Sequence, residues 1–473
     1  MDHTIPAATP ASKKPGLLIN RSFARLWTGQ SFSVFGDLIF DMTLLVWVAV
    51  LTRGQPWSPL AISGLLVAAA VPNLLLGPIA GVFVDRWDKR QTMLWMDALR
   101  AALVGLLVLA SNVVPLPFLP GGRLSLGEQL GAIFGVVLLV SVCSQFFNPS
   151  RFALIGDVVE PDHQPKAAGL TQASQSIAML LGPAIAPPLY LVAGVEWALL
   201  MNALSFVASF VLVLGVRSPQ AARSIAPGER GHFLREFREG WRFTLSNRFS
   251  STILLSLAIV MFGASAFNAL DILFALQRLH APIALYGLLA TAMGLGILGG
   301  AILSGLFAKR IGLMRLFTLC LLLIGVCILF YSRMTNFWLA LPLMFFAGFF
   351  QAGLNVAAGP LLLRVTPREL LGRVKSIFDP TTALVTLLGT ALVGYLAGAV
   401  LQGFHAALLG LSFGPIDTLF TASAVIVLLG AIYTAIRLGF SDPQPFVPAP
   451  PAPAEAAMAE TLPAPQAPQE ALA

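Results

Sequence analysis

Twelve apolar runs, each about as long as a bilayer is thick, constrain this chain more than any other feature of its 473 residues. A helix that crosses the hydrocarbon needs roughly 20 mostly apolar residues, and a crossing strand only about half as many. The runs fall at 26–51, 60–84, 91–111, 128–149, 168–193 and 196–216, and after a polar stretch at 250–276, 284–308, 314–331, 337–363, 374–402 and 416–438. Lipid offers no partner to a free peptide group, so runs of this length specify helices whose hydrogen bonds close internally. The expected fold class is therefore all-α: twelve transmembrane helices in two six-helix halves. With 57% hydrophobic and 11% charged residues, the composition excludes an ordinary soluble domain. The net charge of +7 does not imply nucleic acid, because the basic residues sit in short loops, where they orient the spans.

If the N-terminus is cytoplasmic, the inner loops and tails collect 24 of the 29 Lys and Arg residues. Arg53, Arg123, Arg278 and Arg333 then face outside, and Arg100 lies within a span. This bias follows the positive-inside rule and predicts a multi-pass protein of the inner (cytoplasmic) membrane with both termini inside. The first run is too long for a signal-peptide core. The chain divides into a cytoplasmic segment 1–25, a six-helix half 26–216, a linker 217–249, a second half 250–438 and a tail 439–473. In the linker, Phe233, Phe237, Trp241 and Leu245 recur every four residues and leave Arg235, Glu236, Arg238 and Glu239 on the remaining face. That pattern predicts an amphipathic helix on the inner membrane surface. The Pro- and Ala-rich tail reads as disordered. Cys143, Cys320 and Cys327 lie inside apolar runs without paired ligand spacing, so packing is expected of them rather than a disulfide or a metal site.

The halves echo one another. "SGLFAKRIG" at 304–312 follows span eight as "AGVFVDRWD" at 80–88 follows span two, and "RVTP" at 364–367 answers "VVEP" at 158–161. Repeated six-helix units with a site between them are a transporter pattern. The loop after span two carries Gly81, Asp85, Arg86, Lys89 and Arg90, and it resembles the signature loop of the major facilitator superfamily, with Asp88 where glycine is usual. The resemblance spans all twelve runs. It implies a latch in which Asp85 meets the start of span eleven near Gly372 and Arg373 while the basic residues hold loop carboxylates; a topogenic turn is the alternative. The second copy has Lys309 at the Asp85 position, so only the first is expected to latch fully.

Further segments, "FGDLIFDMTLLVWV" in span one, "MDALRA" at 96–101, "FNPSRFALIGDVV" at 147–159, "LLGPAIAPPL" at 180–189 and "LLMNALSF" at 199–206, resemble the macrolide-efflux and enterobactin-exporter branch. That resemblance implies export of an amphipathic molecule (drug, macrolide or siderophore-like) by alternating access, with protons as coupling ion. Two departures stand against it. Gly182 and Pro183 are followed by Ala186 and Pro187 rather than a Gly pair. The arginine embedded in span four of many proton-coupled exporters has no counterpart, since Arg151 is expected at the helix end. A lysolipid flippase or a small-solute importer remains open on the same fold, as does a sensor or scaffold without transport.

Acids within a membrane are costly and mark sites by default. Asp37 and Asp41 stand four apart near the middle of span one and share a helical face, as expected of a proton or substrate site; polar contacts to neighbouring helices are the other reading. Asp379, before Pro380 in span eleven, is a secondary candidate. Asp97 and Arg100, three apart in span three, are expected to form an ion pair. Asp271, near the outer end of span seven, is expected to be interfacial and hydrated. Asn202 and Gln351 read as interhelical hydrogen-bonding residues. Gly182 and Pro183 predict a bend in span five. Phe345, Phe346, Phe349 and Phe350 read as packing or pocket residues. No reacting constellation, phosphate loop or metal motif is present in the sequence, so neither an enzyme nor a cofactor is expected, and the default state is a monomer in the lipid bilayer.

Overall fold

The computed structural model describes residues 19–84, 86–113, 115, 122–217, 233–367, 370–408 and 411–440. Thirteen α-helices account for nearly all of it: α1 (Arg21–Leu51), α2 (Ser58–Val84), α3 (Lys89–Leu107), α4 (Leu126–Val158), α5 (Gln164–Ala193), α6 (Val195–Leu214), α7 (Phe233–Ser246), α8 (Arg248–Gln277), α9 (Ile283–Ile311), α10 (Leu313–Tyr331), α11 (Phe337–Val365), α12 (Leu371–Tyr395) and α13 (Pro415–Leu438). Twelve are long and apolar enough to cross a membrane; α7, in the linker, is not among them. A single π turn, Leu396–Val400, ends α12, and a short antiparallel pair, β1 (Ala406–Leu408) with β2 (Leu411–Phe413), precedes α13. The tail from residue 441 and most of the linker lie outside the described residues.

Local chemistry starts the helices. Asn20 caps α1, its Oδ1 accepting from the Phe23 amide at 2.7 Å, and its Nδ2 donates to the Val158 carbonyl at 2.7 Å, joining the start of α1 to the end of α4. Ser125 and Glu128 form a reciprocal capping box on α4. Asp88, the residue that departs from the usual glycine, caps α3 by accepting from the Gln91 amide at 2.7 Å.

Within each half the same helices touch. In the first, α1 packs on α5 and α6, α2 on α4, and α3 on α4 and α6; in the second, α8 packs on α12 and α13, α9 on α11, and α10 on α11 and α13. The clasps repeat too. Arg25 and Arg90, near the starts of α1 and α3, donate to the carbonyls of Gly215 and of Val213 and Leu214 at the end of α6. Arg248 and Arg315, at the matching starts of α8 and α10, donate to Arg437 and Phe440 at the end of α13. A guanidinium at a helix C-terminus satisfies orphan carbonyls and opposes the dipole.

The halves meet along two related seams, α5 on α9 and α2 on α12. Thr291 Oγ1 donates to the Leu180 carbonyl at 3.1 Å, and a side chain at Gly287 would collide with the carbonyl oxygen of Pro183. A side chain at Gly394 would collide with Ser63, and one at Gly398 would meet Leu60. These positions lie early in α9 and α2 and late in α5 and α12, at the end of the bundle opposite the N-terminus. There one apolar core runs through both halves, joining Leu44, Val48, Ile62 and Leu199 to residues such as Leu270 and Phe420. At the N-terminal end the first half instead packs in separate clusters, around Leu26, Met93, Phe147 and Val213, and around Phe23, Val159 and Ala167.

One boundary corrects the sequence reading. Span four was expected to end at residue 149, but α4 continues through Pro149 to Val158. A proline removes one amide and need not stop a helix whose neighbours hold it in place.

Candidate functional site

Asp97 and Arg100 lie one turn apart on α3 and are almost wholly excluded from solvent, at 0% and 3% exposure. Arg100 donates to Asp97 Oδ1 at 2.5 Å, and Ser209 Oγ of α6 donates to Asp97 Oδ2 at 2.7 Å. Gln30 of α1 donates to Ser209 Oγ at 3.0 Å, so three helices share this chain of hydrogen bonds. The Arg100 guanidinium lies between two rings, 4.0 Å from the centroid of Phe147 and 4.3 Å from that of Phe206. A desolvated cation gains from both faces what it has lost from water.

Asp37 on α1 stands within electrostatic reach of Arg100, Asp97 and Arg151 and beside Asn202. Arg151 is the principal correction at this site. It was expected at a helix end, yet it is 5% exposed inside α4, and its Nε finds no hydrogen-bond acceptor among the described residues. Two acids, Asp37 and Asp97, thus balance two guanidinium groups, Arg100 and Arg151. Asp41, one turn further along α1 and within reach of Asp37, is a third acid; among the described residues it has no hydrogen-bond or ion-pair partner. It lies one turn before Leu45 on the same side of α1 and is solvent-accessible.

Leu45 lines a cavity of about 620 Å3 between the halves. The other walls come from α2 (Leu66, Asn73, Leu74), α8 (Met261, Phe267, Asn268, Asp271), α9 (Tyr286, Met293), α11 (Met344) and α12 (Thr382, Thr386, Thr390). A space of this size, mostly apolar with a few polar groups, suits a drug-sized ligand. Asp271 also departs from expectation: it is not hydrated but 9% exposed, and Tyr331 donates to its Oδ1 at 2.6 Å. Neighbouring helices cover it, with Tyr331 of α10 bonded to it and Tyr286 of α9 within electrostatic reach.

The remaining predicted residues are placed as follows. Asp379 is exposed on α12, one turn before the cavity-lining Thr382, and does not reach Asp37 or Asp41. Gly81 lies in the last turn of α2 and Arg86 is exposed in the loop. Lys89 pairs with Asp157 of α4 at 2.7 Å, and Arg90 holds the end of α6, so both engage their own half. Asp85 and the side chain of Arg373 lie outside the described residues. Gly182 packs on α1, where an added Cβ would come 2.8 Å from that of Leu38, and Pro183 presents its carbonyl to α9. Phe345 and Phe349 set their backbones against α9 glycines and do not line the cavity. The three cysteines are buried and free, and among the described residues no cluster of His, Cys, Asp and Glu could hold a metal ion. The signal for Asp271 was present in principle, as a charge within an apolar run, and for Arg151 in the apolar residues that follow it.

Comparison with known proteins gives a consistent result. A family described as transmembrane secretion effector matches residues 15–454. An uncharacterized transporter of the major facilitator type from Bacillus subtilis, YkuC, is 25% identical, over 89% of this chain and 93% of its own. Macrolide efflux protein A of Streptococcus pyogenes is 24% identical over 80% of this chain and 90% of its own. The lysophospholipid transporter LplT of Cronobacter sakazakii is 26% identical, again over 80% and 90%. Among solved structures, a bacterial homologue of the iron transporter ferroportin in its inward-facing state superposes with a TM-score of 0.68 at 18% identity, covering 88% of this chain and 98% of that one. The outward-facing state of that homologue gives 0.54 over 88% and 99%.

Proposed function

Because the chain belongs to the transmembrane secretion effector family of major facilitator transporters, whose members carry solutes rather than catalyse reactions, we propose that it exports an amphipathic small molecule in exchange for protons. The observation that carries this reading is the charge imbalance on α1. Asp37 and Asp97 are offset by Arg100 and Arg151, whereas Asp41 is an extra carboxyl with no cationic partner among the described residues, which leaves a proton to neutralise it. Two neighbouring carboxyls in an apolar bundle titrate as a pair, so a proton arriving at Asp41 changes the charge that Asp37 presents to Arg100 and Arg151. Those arginines belong to α3 and α4, so protonation alters the forces that hold α1 against its own half. The loop at 81–90 is assigned the cytoplasmic latch of the opposite state, with Lys89 and Arg90 anchoring it to the first half. In this reading the present conformation, closed at the end opposite the N-terminus, is inward-facing, and the better superposition on an inward-facing structure supports it.

The test is gradient-driven uptake of fluorescent drugs and macrolides into inside-out vesicles. Asp41→Asn and Asp37→Asn are expected to abolish the dependence on the gradient while abundance stays normal. Transport that survives both substitutions and collapse of the gradient would refute the coupling. A second reading, a lysolipid flippase, is favoured by the largely apolar cavity wall and by the lysophospholipid-transporting relative. It predicts movement of a labelled lysophospholipid between leaflets without any gradient.

A further inference from the structure

The cavity is chemically lopsided. Asp271 is the one acid among the described residues that line it, and neither lysine nor arginine is found there. One phenol bonds this carboxylate, Tyr331 donating at 2.6 Å, and a second, Tyr286, itself a lining residue, lies within electrostatic reach of it. Both are buried, at 1% and 5% exposure, so the Tyr331 bond that orients Asp271 is shielded from solvent. Phe267, one turn earlier on α8, also lines the cavity, and its ring lies 4.9 Å from that of Tyr331, which in turn packs on Phe274 and Phe420. Asn268 and Thr386 supply neutral polar groups nearby, and Met261, Met293 and Met344 give a polarisable, adaptable surface opposite.

We propose that Asp271, Tyr286, Tyr331 and Phe267 form a cation-recognition site in the second half of the carrier, and that its ligand is an amphipathic organic monocation such as a lipophilic amine. The proposal rests on reading the cavity as the substrate path of a carrier. An ammonium group brought to an ordered carboxylate in a water-poor cavity gains far more than it does in water. A flanking aromatic face adds a cation–π contribution, and the methionine and leucine walls take up the apolar body. The same geometry disfavours an anionic head group, which would face Asp271 without a counter-cation. It gives a zwitterionic lysolipid no cationic partner for its phosphate among the described lining residues. The site is also separate from the acids of α1, so substrate and proton would be held by different halves.

The test is binding to the full-length protein in nanodiscs, using a dansylated long-chain primary amine and its N-acetyl analogue, which differ in charge and little else. The native protein is expected to bind the amine about tenfold or more tightly than the amide, the difference of roughly 1.4 kcal/mol that one favourable ionic contact supplies. Asp271→Asn should erase that preference and leave amide binding unchanged, which also reports that the variant is folded, and Asp271→Glu should restore part of it. On the native protein, modification of Asp271 by a hydrophobic carbodiimide, followed by peptide mapping, should be blocked by the amine and not by the amide. A preference that survives Asp271→Asn, equal binding of amine and amide by the native protein, or failure of the amine to protect Asp271 would each overturn the proposal. Flux is measured separately in vesicles. Binding with the expected preference but no movement of the amine would remove the export reading and leave the site. Export of neutral compounds with no charge preference would do the reverse.

Discussion

Arg100 and Asp97 are charges placed where neither could stay ionised alone. Their mutual bond, the Ser209 hydroxyl and two aromatic faces make the position tolerable, and removing one partner strands the other. We expect Arg100→Leu to destabilise the protein by about 3–5 kcal/mol, and the double variant with Asp97→Asn to recover much of that loss, because an uncompensated buried ion costs more than the pair contributes. Denaturant unfolding in mild detergent checks both. Arg151 differs, since its Nε has no acceptor among the described residues and the acid within its electrostatic reach, Asp37, is one we assign to coupling. Arg151→Gln should therefore cost only the roughly 1 kcal/mol typical of a single substitution, yet lower gradient-driven transport severalfold in the vesicle assay. Residue identity made Asp37, Asp41 and the Asp97 pair legible from sequence. Arg151 and Asp271 were misplaced because burial depends on where neighbouring helices end, and neither residue carries that information.

Among the elements, α5 shows how local sequence prepares a contact that only assembly completes. Pro183 and Pro187 lack amides, so the carbonyls of Met179 and Pro183, four residues before each, have no partner within the helix. The Pro183 oxygen lies against Gly287 of α9, and the adjacent Leu180 carbonyl accepts from Thr291. The structure shows these carbonyls turned toward the other half. Gly287 is required by this approach rather than by its backbone angles. Gly287→Leu should keep the seam from closing and bias the carrier toward the opposite state. We expect transport to fall about tenfold or more, the effect of shifting a balanced two-state equilibrium by roughly 1.4 kcal/mol or beyond. A cysteine at Leu45 should then label with an impermeant maleimide from the side opposite the N-terminus; the native cysteines are buried, which keeps the background low.

For the molecule as a whole, the repeated helix pairings and the paired arginine clasps make each half a rigid unit, so motion is concentrated at the two seams. Closing the α2–α12 seam by a covalent bond should stop the cycle. The variant Leu60→Cys with Gly398→Cys brings two Cβ atoms to 3.0 Å where the helices already touch, close to the spacing that a disulfide bridges after a small shift. Oxidation is expected to abolish transport and reduction to restore it. Transport unaffected by complete cross-linking would mean that this seam does not open during the cycle.

The sequence by itself determined the spans, their number and their arrangement in two halves. Each follows from a local rule: apolar length against bilayer thickness, basic residues in loops, and a motif repeated at a fixed offset. It also exposed the acids of α1, because a carboxyl in an apolar run is conspicuous without any knowledge of its neighbours. Only the tertiary structure decided that Arg151 comes within electrostatic reach of Asp37, that Asp271 is bonded by Tyr331 in the cavity wall, and that Lys89 and Arg90 hold their own half. Those facts depend on contacts between residues as many as 124 positions apart, as between Arg90 and Leu214. Electrostatic partnership is a property of distance in space, and the order of residues along a chain constrains that distance only within a helix turn.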